Sequence, residues 1–182
     1  MYIGFGIDAV SFLVIACAAA LIYSGILALK YFIRGRFSFS LTNFILEILI
    51  ITSLIAVILL TLSPIRGLML EPVYMSVNLV PFENILEMFR FSTRETILRM
   101  VGGNIVLFMP LTFFMTLRFL GKLSVIWVVF IGIGLSTTIE LIQLFHPLRQ
   151  TNIDDVMLNS LGVFFGVISG LIISKIFGIR SE

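Results

Sequence analysis

Long apolar runs alternate with short polar breaks along this chain, and the runs have the length of membrane-crossing helices. Ala9 to Leu29 carries no charge and suffices for one span at about 20 residues per crossing. Lys30, Arg34 and Arg36 follow it. Phe44 to Ser63 predicts a second span, closed by Pro64, with Glu47 in its first turn, either a functional acid or, the favoured reading, an interfacial carboxylate near Arg34 or Arg36. A third span runs from Met100 to about Leu117 and holds Asn104 and, mid-span, Pro110, which removes a backbone hydrogen bond and should kink the helix. The fourth covers about Leu123 to Phe145, ended by Pro147, and the fifth about Val156 to Ile176.

The longest connection, Arg66 to Arg94, has a different pattern in its second half. Phe82, Ile85, Leu86 and Phe89 fall on one helical face, and Glu83, Asn84, Glu87 and Arg90 on the other. Such a short amphipathic helix is expected to lie on the membrane surface, with Pro81 in its first turn. Ser92-Thr93-Arg94-Glu95 fits a capping box with Ser92 as N-cap. The predicted architecture is therefore all-α: one polytopic integral membrane bundle over residues 1–182, with about five transmembrane helices and a short interfacial helix.

Composition removes the soluble alternatives. Hydrophobic residues make up 59% of the 182 and charged residues 12%, and the mean hydropathy is +1.16, where soluble domains are nearer half apolar and a quarter charged. Basic residues do not interleave with aromatics in a soluble patch, so nucleic acid is not an expected partner. The lone Cys17 can form no intrachain disulfide. Without a basic n-region, the first apolar run is expected to stay as a span and not be cleaved as a signal peptide.

Charge distribution supplies an orientation. Five spans place Lys30, Arg34, Arg36, Arg118, Lys122, Lys175 and Arg180 on one side. The other side mixes Arg66, Arg90, Arg94, Arg99 and Arg149 with Asp8, Glu71, Glu83, Glu87, Glu95, Asp154 and Asp155. The more basic side is expected to be cytoplasmic, giving an outer N-terminus and a cytoplasmic C-terminus.

The polar residues that remain inside the apolar runs point to one end. Ser136, Glu140 and Gln143 recur at i, i+4 and i+7, and a polar turn with Arg149, Asn152, Asp154 and Asp155 leads to Asn159. Polar groups at membrane depth are costly and tend to be functional. Glu140 lies 18 residues beyond Lys122, about 27 Å of helix in a hydrocarbon core about 30 Å thick, so it should sit just beneath the outer interface. Asn104 and Asn159 fall in the outer halves of their helices, and a shallow outward polar pocket would house all three. Glu140 can act there as a general acid or base, pair with Arg149, or bond to Gln143, Asn104 and Asn159. Asn152 as N-cap puts Asp155 at N3, while Asp155 and Asn159 are i, i+4 neighbours aimed at one patch. Asn104 and Asn159 can equally join helices by amide hydrogen bonds. Gly162, Gly166 and Gly170 are expected to let a neighbouring helix approach closely.

Other chemistry finds little purchase. His146 has no second His or Cys partner, so no metal is expected, and no phosphate-binding glycine loop or other cofactor motif stands in context. A self-contained transporter would need inverted repeats and more spans.

Four segments together resemble the VanZ-like family of small bacterial membrane proteins, named for a determinant of teicoplanin resistance. They are Asn78-Leu79-Val80-Pro81-Phe82, then Asn104 through Pro110, then Ser136 through Glu140 to Gln143, and last Arg149 with Asp154-Asp155-Val156, Asn159 and Gly162. They cover about residues 78–166. Thr112 stands where the family often has Gly, and Asn152 where it often has Asp, which favours a capping role for Asn152. The resemblance implies a plasma-membrane protein tied to lowered susceptibility to teicoplanin-like glycopeptides. On that basis Asn78, Asn104, Ser136, Glu140, Gln143, Arg149, Asp154, Asp155 and Asn159 are expected to bind a membrane lipid, a lipid-linked envelope precursor or a lipoglycopeptide. An intramembrane enzyme on a lipid-linked substrate, with Glu140 or Asp155 as base, is the alternative. A helper that stabilises another envelope protein or oligomerises through Gly162 and Gly166 is a third.

Overall fold

The computed structural model describes residues 14, 18, 21–29, 40–62, 77–144 and 151–178. Residues 14, 18 and 21–29 are helical, and the rest of the first expected span lies outside the described residues. Next come α1 (Leu41–Leu62), a two-residue β1 (Val77–Asn78), α2 (Glu83–Phe91) and α3 (Arg94–Phe119). After them follow α4 (Val125–Gln143), a two-residue β2 (Thr151–Asn152) and α5 (Ile153–Phe177). Four of these helices, α1, α3, α4 and α5, are long and apolar enough to cross a membrane. The protein is an all-α membrane bundle.

The boundaries differ from expectation where caps decide them. The N-cap of α3 is Thr93 and not Ser92: the Thr93 side chain accepts from the Thr96 N–H, while Ser92 ends α2 in an extended conformation. Helix α3 therefore begins six residues earlier than the apolar run implies, and passes through a π-helical turn at Leu98–Gly102. It then continues through Pro110 to Phe119. Pro81 is not in the first turn of α2 but one residue before the N-cap, Phe82, whose φ of 66° is left-handed. Glu47 falls in the second turn of α1, because that helix starts at Leu41.

With little hydrophobic drive between helices in lipid, close backbone approach and buried polar pairs must hold the bundle. The small residues of α5 face α3 for this reason. A methyl group on Gly162 would collide with the Ile105 carbonyl, and one on Gly166 with the Met109 carbonyl and the Thr112 hydroxyl. At Gly170 it would stand 2.8 Å from Thr116 Cβ. Thr112, fully buried, lies within reach of the Phe108 carbonyl of its own helix (3.1 Å) and the Val163 carbonyl of α5 (3.2 Å). The neighbour expected for the glycine stripe is thus α3. Val57, Phe108, Leu111, Met115, Val128, Ile139 and Val163 fill the space between α1, α3, α4 and α5.

Two polar contacts fix the ends of α1. At one end Glu47 Oε1 accepts from Arg118 Nε (3.1 Å) and Nη2, with both side chains mostly buried. Arg34 and Arg36, the expected neighbours of Glu47, lie outside the described residues. At the other end Gln143 Nε2 donates to the Thr61 carbonyl at 2.8 Å. Arg118 and Lys175 therefore share one end of the bundle, and Gln143, Asn152 and the start of α5 the other.

Candidate functional site

The polar residues at the Asn152 end form a connected set. Glu140, in the last turn of α4 and 5% exposed, accepts from the Asn152 N–H through Oε2 at 3.1 Å. The Thr151 hydroxyl reaches the Glu140 carbonyl at 3.4 Å. Asn152 caps α5: its Oδ1 accepts from the Asp154 N–H at 3.0 Å, so it serves the second residue of the helix and not Asp155 at the third. A buried carboxylate thereby holds the strand that delivers the cap.

Asp154 works on a helix other than its own. Its Oδ1 accepts from the Phe82 N–H at 2.6 Å and its Oδ2 from the Ile85 N–H at 3.0 Å, 72 and 69 residues away in sequence. Those are the N-cap and N3 amides of α2, the two donors that a capping box would satisfy from within the helix. Phe82 has no side chain able to cap, and its left-handed backbone turns both amides toward Asp154, which is 1% exposed. The adjoining chain is held too. β1 pairs in parallel with β2, Val77 opposite Thr151 and Asn78 opposite Asn152, and Asn78 Oδ1 accepts from the Val80 N–H at 2.9 Å in an Asx turn.

Asp155, one residue on, faces α3 and accepts from Asn104 Nδ2 at 2.9 Å; both side chains are half-buried. One turn deeper, Asn159 Nδ2 donates to Ser136 Oγ at 3.0 Å, in a layer where Ser136 is fully buried and Asn159 is 3% exposed. Asn159 Oδ1 has no donor in reach among the described residues.

The structure thus brings Asn78, Glu140, Asn152 and Asp154 into one network and places the Asp155–Asn104 and Asn159–Ser136 pairs beside and beneath it. Gln143 is turned away toward α1. Arg149 and His146 lie outside the described residues. Among the described residues no three His, Cys, Asp or Glu side chains gather as metal ligands. Three features of the network escaped sequence reasoning: the bond from the Asn152 N–H to Glu140, the β1–β2 pairing and, last, the capping of α2 by Asp154. The only signal for that capping is negative, since neither Pro81 nor Phe82, just before Glu83, has a side chain that can cap a helix.

Against this network α2 leaves its apolar side open. None of its residues is buried; Leu86 and Phe89 are exposed, as are Leu79, Val80 and Phe82 just before it, and Phe91 at its end is 84% exposed. A polar cluster adjoining a wide apolar surface can meet a molecule that carries both kinds of group.

A search of curated proteins and one of solved structures returned no match. A family model does match, that of VanZ/LLP1, over residues 44–175, which takes in α3, α4, the polar network and all but the outermost residues of α1 and α5. The match covers well over half of the chain, which therefore belongs to the VanZ/LLP1 family, multi-pass membrane proteins linked at family level to antibiotic resistance.

Proposed function

We propose that this protein is an accessory resistance factor of the bacterial cytoplasmic membrane, and that its polar end faces outward to engage an amphiphile. The ligand would be the lipid-bearing part of a teicoplanin-like glycopeptide or a lipid-linked wall precursor. The observation that carries this reading is the juxtaposition at one end of the bundle. The network of Glu140, Asn152 and Asp154 adjoins, through the bonds from the Phe82 and Ile85 amides to Asp154, the helix that leaves Phe82, Leu86, Phe89 and Phe91 exposed. Orientation follows from charge: the opposite end carries Arg118, Lys122 and Lys175, the pattern of a cytoplasmic face. The N-terminus is then outside and the C-terminus inside.

Glu140→Gln tests the site at nearly constant shape, because the amide keeps an oxygen for the Asn152 N–H while it gives up the charge and one acceptor oxygen. Cells making this variant at the parental membrane level are expected to lose their teicoplanin protection. Undiminished protection would remove Glu140 from the function. An enzymatic reading draws on Asp155, a half-buried carboxylate with an amide donor beside it and no part in capping α2. Turnover separates the two readings: purified protein with membrane lipids would yield a product that Glu140→Gln or Asp155→Asn abolishes, whereas binding alone is stoichiometric.

A further inference from the structure

Carboxylate and amide side chains descend from the outer end of the bundle into its interior, and the deepest of these amides, Asn159, has an unfinished hydrogen bond, whereas the buried hydroxyls of Thr112 and Thr116 further on are bonded to backbone carbonyls. Glu140 and Asp155 occupy the first layer, and Ser136 and Asn159 the next. Below them Phe108, Val128 and Val163 close the interior. Asn159 lies seven residues after the Asn152 cap, about 10 Å down the axis of α5. Its amide presents two hydrogens and an oxygen, and its only partner among the described residues is the Ser136 hydroxyl. Turning the amide over does not help: the oxygen would then take the Ser136 proton, and the NH2 group would be left bare. One hydroxyl cannot satisfy both ends. An unmet polar atom in such a place costs free energy that a polar partner recovers.

We propose that Ser136 and Asn159 form an inner subsite for a single hydroxyl of a ligand headgroup, so that the amphiphile bound at this end is an alcohol or polyol. A hydroxyl both donates and accepts, and it completes the amide in either orientation. Phosphate is a poor match, because it offers acceptors to a layer that already holds an unpaired acceptor beneath two carboxylates. The inference rests on the amphiphile reading above and narrows it to a headgroup class.

The test uses the full chain, purified in an amine-oxide detergent that has no hydroxyl. Two probes share one tail: dodecylglycerol and its dimethyl ether. Dodecylglycerol at about 100 times its Kd is expected to raise the unfolding temperature by roughly 5–10 °C. The ether should bind about tenfold more weakly, having no proton to give. In Asn159→Leu the preference for dodecylglycerol should vanish while tail-dependent binding persists. Equal shifts with both probes in the wild type would overturn the subsite and leave the amphiphile reading standing. A retained preference in Asn159→Leu would overturn it as well, marking Asn159 as a residue that holds water only. If neither probe binds, the amphiphile reading fails together with the subsite. Should Asn159→Leu not assemble, the wild-type comparison decides, because selectivity is read there on the unaltered chain.

Discussion

Asp154→Ala should free α2 while leaving the bundle assembled. Helix α2 is nine residues long and buries none of them, so neither length nor packing sustains it. Two bonds from the Phe82 and Ile85 amides to Asp154, at 2.6 and 3.0 Å, hold its first turn. Loss of an N-cap partner costs about 0.5–2 kcal/mol, and each stranded amide about 1–3 kcal/mol when water cannot reach it. Removing the carboxylate also relieves the cost of burying it, which offsets part of the loss. The balance is about 2–4 kcal/mol, confined to α2. At about 1.4 kcal/mol per factor of ten, amide exchange in residues 82–91 should accelerate roughly 30- to 1,000-fold. The assay is hydrogen–deuterium exchange by mass spectrometry on protein in lipid nanodiscs, with peptides from α3 and α5 as internal controls. Asp154→Asn keeps one acceptor but turns an NH2 group toward the second amide, so it should fall between parent and alanine. Unchanged exchange in α2 would refute the capping argument. Acceleration spread equally through α3 and α5 would show that Asp154 supports the whole bundle and not one helix.

Three further outcomes follow from the packing. Gly166→Ala, whose methyl would meet the Met109 carbonyl and the Thr112 hydroxyl, should cost about 1–3 kcal/mol or more in a steric-trapping assay, whereas Gly134→Ala, with open space around it, should be neutral or mildly stabilising. A double-mutant cycle on Glu47→Gln and Arg118→Met should return a coupling of about 0.5–3 kcal/mol, and values near zero would make the pair a passive contact. Gln143→Leu should lose only about 0.6 kcal/mol, the usual worth of an interhelical amide bond in lipid, measured by thermal unfolding in detergent.

The sequence carried the architecture well, because hydrocarbon demands long apolar runs and tolerates few polar residues within them. Spans two to five were legible to within a few residues, except at the start of α3, where Thr93 and not Ser92 supplies the cap. Asn152 was legible as a cap because capping is local. The partners of Glu47, Gln143 and Asp154 were not, because each lies about 70 to 80 residues away and no periodicity records which helix ends meet. The glycine stripe announced close packing but not its neighbour: only the tertiary arrangement puts Ile105 and Met109 against it. Asp154 was the largest surprise. An acid in a first turn suggests service to its own helix, yet its carboxylate completes another.

That cap has a consequence for how the chain is made. Helix α2 is translated some 70 residues before the carboxylate that ends it, and β1 waits equally long for β2. Until α5 is made, the segment from Val77 to Phe91 has neither its strand partner nor its cap, and it must wait as an unfinished element. The end of the bundle that holds Asp154 is therefore assembled last, and only a chain translated past Asp154 can complete it.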